Sequence, residues 1–127
     1  MEIPSVFVVS ADAAVSDSVK DLVESAGLQA GIFTSLQAFL DAVGSEGRGC
    51  LVLDAQIRDL SDPEQQPKLA AACNRMPVLL IVDRGDVPAA VCAVKAGAMD
   101  IVQKPYRDEN LLDSIATALQ ADATAHC

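Results

Sequence analysis

Cys50-Leu51-Val52-Leu53-Asp54 is a short apolar run that ends on a carboxylate and follows a Gly-rich turn at residues 47–49. Such a run is typical of a strand that is buried on both faces of a parallel sheet. Ligands of open α/β sheets bind beyond the carboxyl ends of the strands, so Asp54 is expected at the floor of such a crevice. The alternative is that Asp54 is a turn residue that begins the next loop.

The length and composition indicate one globular domain with an aliphatic core. The chain has 127 residues, of which 51% are hydrophobic and only 3% aromatic, with no Trp. A core of Val, Leu, Ile and Ala is typical of helix-covered parallel sheets. We predict a single domain over residues 1–127, with its core at about 5–120 and a frayed Ala-rich tail at 121–127.

The charge of the chain argues against two classes of partner. Nine basic residues stand against eighteen acidic ones, for a net charge of −9. A surface this acidic repels phosphate backbones and anionic lipids, so we expect neither nucleic-acid nor membrane binding. The charge suits a divalent cation or a basic protein partner, or it serves solubility alone.

The cysteines do not indicate a metal or disulfide framework. They show no C-x-x-C spacing, and the single histidine, His126, lies in the tail; the four are Cys50, Cys73, Cys92 and Cys127. Three of them are typical of small core residues in a reducing compartment. The N-terminus lacks a signal-peptide pattern, and the longest apolar run, 76–82, is too short to span a bilayer. We therefore predict a cytoplasmic domain.

Strand and helix patterns alternate along the chain. Apolar runs predict strands at 5–10, 30–33, 50–54, 77–82 and 101–103. A helical pattern follows each strand. The first ends before Gly27, the second is capped by Ser35, and the last opens at Asp108 or Asn110. This (βα)5 order with short connections predicts an α/β fold, with a parallel sheet between two layers of helices.

The ordered motifs of the second half resemble the receiver domain of two-component response regulators, and specifically the FixJ type. The matching motifs are Gly85-Asp86-Val87-Pro88, Ala90-Val91, Lys95-Ala96-Gly97-Ala98, Asp100 and Lys104-Pro105. The resemblance covers roughly residues 5–120. It implies a CheY-like, flavodoxin-like fold with strand order 2-1-3-4-5.

The resemblance also implies the roles of several residues. Asp54 takes the phosphoacceptor position, and Lys104 takes the lysine position before a cis bond at Pro105. An aspartate attacks phosphorus when the charge of the transferred group is neutralised by a divalent cation, a cationic side chain and hydrogen-bond donors. Mg²⁺ is therefore the implied cofactor of a conventional receiver.

The metal-binding part of that pattern is degenerate in this chain. The family's adjacent acid pair after the first strand is replaced by Ser10 and Ala11. Asp12, one residue further on, reaches the ion only with a shifted backbone and otherwise starts the helix. Because Mg²⁺ prefers carboxylate oxygens and gives up water reluctantly, we expect no bound cofactor. A compensating cation site formed by Asp12, Asp54 and Asp83 is the alternative.

The positions that relay phosphorylation are also altered. Val82 replaces the hydroxyl residue that ends the fourth strand, and Ile101 aligns with the switch aromatic. The resemblance places Asp83 and Arg84 at the pocket mouth. Asp83 takes the position at which the family has a small residue. In a further alternative, Arg84 or Arg58 pairs with Asp54 and mimics a neutralised pocket.

The leading functional hypothesis is an atypical receiver: a protein-interaction or dimerisation module of phosphorelay signalling that is not an enzyme and works without Mg²⁺-dependent phosphorylation. The resemblance implies contacts with a histidine kinase, a regulator partner or a second copy. The implied face combines the predicted fourth helix, fifth strand and fifth helix, and carries Lys95, Met99, Tyr106 and Arg107. A plain solvated surface is the other interpretation of these residues.

Two other functions compete with this one. A conventional receiver would be phosphorylated on Asp54 by a histidine kinase with Mg²⁺, and would control transcription through an output domain or a partner. Residues 10–14 contain no glycine and carry an acid, which argues against an FMN phosphate loop. The FixJ-type resemblance implies a DNA-binding output domain, and the sequence leaves open whether one follows in the native protein.

Overall fold

The fold is a five-stranded parallel sheet with helices on both faces. The computed structural model describes residues 5–10, 12–42, 49–54, 66–82, 100–104 and 107–125. The strands are β1 (Ser5–Val9), β2 (Gln29–Phe33), β3 (Gly49–Asp54), β4 (Val78–Val82) and β5 (Asp100–Gln103). They lie in the order β2-β1-β3-β4-β5, and every neighbouring pair is parallel, so the predicted topology is confirmed.

A described helix follows each strand except β4. They are α1 (Ala13–Ser25), α2 (Leu36–Ala42), α3 (Gln66–Arg75) and α4 (Asp108–Ala125). The predicted fourth helix lies outside the described residues. The helix labelled α4 here therefore corresponds to the predicted fifth helix. Among the described ranges, no helix has both the length and the apolar character that a membrane crossing needs.

The sheet separates two groups of buried side chains. On one face, α2, α3 and the residue after α3 contribute Leu36, Phe39, Leu69, Ala72 and Met76. On the other face, α1 and α4 contribute Val19, Val23, Leu111, Ile115 and Ala118. Successive strand residues point to opposite faces. Leu51 and Leu53 of β3 accordingly join the first group, and Cys50 and Val52 join the second. The predicted three-layer arrangement is confirmed.

The central strands are buried along almost their whole length. All five residues of β4 are buried, as are the first five of β3, so that only Asp54 is partly exposed. Cys50 is one of these core residues, as predicted. Cys73 on α3 is half-buried, and burial raises the pKa of its thiol, which keeps it uncharged at neutral pH. Cys92 and Cys127 lie outside the described residues.

Local signals place the ends of the helices. Asp12 is the N-cap of α1, and its carboxylate accepts a hydrogen bond from the amide of Ala14. Gly27 follows that helix with a φ of 83°, a conformation that glycine adopts without steric cost. The Ser35 hydroxyl accepts a hydrogen bond from the amide of Ala38 at the start of α2, as expected of a cap.

The last helix extends further than the sequence analysis predicted. We expected fraying from residue 121, but α4 continues to Ala125. Its final turns are rich in alanine, the residue with the highest intrinsic helix propensity, and this favours continuation of the helix. Residues 126 and 127 lie outside the described part of the chain.

Candidate functional site

Three polar side chains meet at the carboxyl edge of the sheet. Ser10 follows β1, Asp54 ends β3 and Lys104 follows β5. Backbone hydrogen bonds fix both flanking positions. The Ser10 amide donates to the Phe33 carbonyl at 3.2 Å, and the Lys104 amide donates to the Val82 carbonyl at 2.9 Å. Because parallel strands end at the same edge, residues far apart in sequence come together here.

Asp54 and Lys104 form an ion pair. The Lys104 Nζ lies 3.0 Å from Asp54 Oδ1, and the side chains are 33% and 14% exposed, respectively. The pair is therefore partly shielded from water but open at one side. Its geometry agrees with the proximity that the resemblance implied for these two residues.

Ser10 holds the other oxygen of the same carboxylate. Its hydroxyl lies 3.0 Å from Asp54 Oδ2, and the residue is only 3% exposed. The Ser10 hydroxyl oxygen also accepts a hydrogen bond from the Asp12 amide at 3.0 Å, and it lies 3.2 Å from the Asp12 carbonyl oxygen. Asp54 is thus held by a cation on one oxygen and by a buried hydroxyl on the other.

Asp12 begins α1 and does not join this cluster through its carboxylate. Its Oδ1 accepts from the Ala14 amide at 2.9 Å, and the residue is exposed. The interpretation of Asp12 as the start of the helix is therefore confirmed. Only its backbone amide and carbonyl contact Ser10.

The described donor set does not fit Mg²⁺ well. This ion is usually held through one or two carboxylates and keeps several waters. Among residues 5–10, 12–42, 49–54, 66–82, 100–104 and 107–125, no group of three His, Cys, Asp or Glu side chains is arranged to hold a metal ion. Both oxygens of Asp54 already have protein partners. Asp83, the third member of the alternative cation site, lies outside the described residues.

The two altered switch positions are apolar and packed. Val82 is 0% exposed, and Ile101 is partly buried against the same cluster, on the face of α2 and α3. Neither side chain carries a polar atom. A relay through hydrogen bonds of these two side chains is therefore excluded by their chemistry.

The structure leaves several predicted site residues undescribed. Ala11, Asp83, Arg84, Lys95, Met99 and Tyr106 lie outside the described residues, as do Arg58 and Pro105. Arg107 is described and exposed, immediately before α4. In the sequence, Ser10 stands out only as the replacement of an acid. The signal that was missed is that a serine directly after β1 lies at the same edge as Asp54.

Comparison with known proteins identifies the relatives of this arrangement. Residues 6–116 match the family model described as the response regulator receiver domain. The chain is 43% identical over 115 residues to the response regulator protein TmoT of Ectopseudomonas mendocina, covering 91% of this chain and 52% of TmoT. It is 38% identical over 121 residues to the transcriptional regulatory protein FixJ of Bradyrhizobium diazoefficiens, covering 94% and 59%. The chain thus spans about half the length of the curated relatives it matches.

Solved structures give the same result. The response regulator StyR superposes with a TM-score of 0.83 at 37% identity, over 98% of this chain and 63% of StyR. FixJ-N superposes with a TM-score of 0.79 at 32% identity, over 94% of this chain and 96% of that one.

Proposed function

Because this chain belongs to the response regulator receiver domain family, we propose that it acts in two-component signalling as an atypical receiver, through protein contacts and without Mg²⁺-dependent phosphorylation. The observation that carries this proposal is the double occupation of Asp54. Lys104 holds Oδ1 and Ser10 holds Oδ2, so both oxygens are engaged before any ligand arrives.

The electrostatics of the pocket support this function. Asp54 would hold a divalent cation beside Ser10, which stands at a position where the family has an acid. A hydroxyl is a neutral ligand, so it adds little of the charge that offsets dehydration of Mg²⁺. Without the cation, the negative charge of an incoming phosphoryl group faces Asp54 with Lys104 as the described compensating charge.

The partners in this proposal are signalling proteins. A histidine kinase, a regulator or a second copy of this chain would dock on the predicted fourth helix, β5 and α4. Arg107 supplies an exposed cation beside α4, whereas Lys95, Met99 and Tyr106 remain predicted members of that face. The cytoplasmic location predicted from the sequence belongs to the same proposal.

The second candidate is a conventional phosphoacceptor that controls transcription. The retained contact of Lys104 with Asp54 at 3.0 Å favours it, because a lysine in that position can neutralise a phosphoryl group on the aspartate. In this case Asp12 or Asp83 would help to hold Mg²⁺ after a rearrangement at the start of α1.

Incubation with acetyl phosphate and Mg²⁺, followed by intact-mass measurement, distinguishes the two candidates. We expect no adduct, and no effect of Mg²⁺ on the melting temperature. A gain of one phosphoryl group that Asp54→Asn abolishes would overturn the atypical function. Asp41→Asn is the matched control, because Asp41 is an exposed acid on α2 and does not belong to the cluster of Ser10, Asp54 and Lys104.

A further inference from the structure

The Ser10 hydroxyl has one proton and two acceptors within reach. Asp54 Oδ2 lies 3.0 Å from its oxygen, and the Asp12 carbonyl oxygen lies 3.2 Å away. A serine hydroxyl donates one hydrogen bond and accepts up to two. The charged carboxylate is the stronger acceptor, so the proton points to Asp54 while that residue is ionised. In either orientation the oxygen can still accept from the Asp12 amide at 3.0 Å.

We propose that Ser10 is a positioning residue that couples the charge of Asp54 to the first turn of α1. Loss of the negative charge at residue 54 turns the Ser10 proton from Asp54 Oδ2 to the Asp12 carbonyl. That carbonyl also accepts the first hydrogen bond of the helix, from the Ser16 amide at 3.1 Å. The state of Asp54 is therefore transmitted to the residue that caps α1.

The Asp54→Asn substitution should reverse the direction of the Ser10 hydrogen bond. Lys104 has only donors, so it retains the oxygen of the new amide on its side. The amide nitrogen then faces Ser10 and donates to its hydroxyl oxygen. The hydroxyl proton has to turn away, and the Asp12 carbonyl is the acceptor within reach.

This route differs from one through the ends of β4 and β5. Val82 and Ile101 have no polar side-chain atoms, whereas Ser10 contacts both Asp54 and the backbone of Asp12. The contact is also shielded, since Ser10 is 3% exposed, and solvent therefore competes little for its proton. The coupling does not rest on the proposed function, because it depends on the charge of the Asp54 carboxylate, which substitution alone removes.

Amide NMR spectra of four proteins test the coupling: the unmodified chain, Asp54→Asn, Ser10→Ala and the double variant. The readouts are the amide resonances of Asp12, which donates to Ser10, and Ala14, which donates to the Asp12 side chain. We expect Asp54→Asn to shift both resonances, and the shifts to be larger, by about threefold or more, with Ser10 present than in the S10A background. No phosphate donor is needed, so the result is independent of the mass measurement.

Ser16→Ala is the matched control, because Ser16 is also a buried serine, at 4% exposure. The substitution removes its hydroxyl but keeps the amide that donates to the Asp12 carbonyl. In that background the full response to Asp54→Asn should remain. Equal responses with and without Ser10 would overturn the proposal, as would no response in either. If Ser10→Ala fails to fold, Ser10→Cys replaces it, since a thiol is a weak donor and should also reduce the response.

Discussion

The two ends of β3 are packed in very different ways. At the amino end, Gly49 has a φ of 135°, and a Cβ placed there would overlap the Ser5 carbonyl oxygen and lie 2.8 Å from the Ser5 carbonyl carbon. At the carboxyl end, the Asp54 carboxylate contacts the side chains of Lys104 and Ser10. The amino end is therefore packed against the backbone of a neighbouring strand, whereas the carboxyl end makes contacts between polar side chains.

This difference explains how the fold persists while the site changes. Steric repulsion rises steeply as the distance between packed atoms falls, and neither Gly49 nor Ser5 can move without disturbing the pairing of β1 with β3. The Lys104–Asp54 ion pair at this edge contributes little to stability, because the Lys104 side chain is 33% exposed and water can replace the contact when it is lost. Residues at the carboxyl edge can therefore be exchanged without loss of the sheet.

The largest expected effect is that of Gly49→Ala. The substitution adds backbone strain at a positive φ and a steric overlap with Ser5, so we expect a loss of about 3 kcal/mol or more in the free energy of unfolding. Urea denaturation followed by circular dichroism measures the change. If the lost free energy approaches the total free energy of unfolding of the domain, much of the protein will be unfolded even without urea.

Gly27→Ala is the matched control for that experiment. Gly27 also has a positive φ, of 83°, but among the described residues other than its two chain neighbours no atom lies within 4 Å of the added Cβ position. We expect a loss of about 1 kcal/mol there, from backbone strain alone. Equal losses at the two glycines would contradict the idea that steric overlap controls the amino end.

The sequence predicted the interior of the fold well, because burial on both faces leaves a local mark. The continuous apolar runs of β3 and β4 need no knowledge of their neighbours, and Gly27 identifies a helix end by its residue type. The close approach of Gly49 to Ser5 was different. It depends on the register of two strands that are separated in the chain by α1, β2 and α2, and the Gly-rich turn alone does not specify it.

The site was predictable only in part for the same reason. The family resemblance supplied Asp54 and Lys104, and both side chains are found in contact. The partner of Asp54 Oδ2 was not predicted, because it depends on how the backbone turns between β1 and α1 and on the rotamer of Ser10. A substituted residue is easily counted as a loss, although its side chain makes new contacts.

A smaller effect is expected for Asp12→Ala at the carboxyl edge. The change removes the side-chain acceptor of the Ala14 amide and so the N-cap of α1. We expect a loss of about 1 kcal/mol in the free energy of unfolding, measured by urea denaturation. Asp17→Ala is the control, since Asp17 is exposed within α1, and its removal should change stability by less than about 0.5 kcal/mol. A loss at Asp12 as large as that of Gly49→Ala would remove the contrast between the two ends.

The smallest effect is expected for Lys104→Met, which keeps most of the side-chain volume and removes the charge beside Asp54. Because the Lys104 side chain is 33% exposed, we expect a loss of less than about 1 kcal/mol. The difference from the unmodified chain should shrink as salt is added, since salt screens exposed charges. Lys20→Met on the exposed face of α1 controls for the change in net charge.

A loss of about 3 kcal/mol that salt leaves unchanged would instead indicate that Asp54 behaves as a buried charge deprived of its partner. The carboxyl edge would then be as intolerant as the amino edge, and the sheet would depend on its polar site.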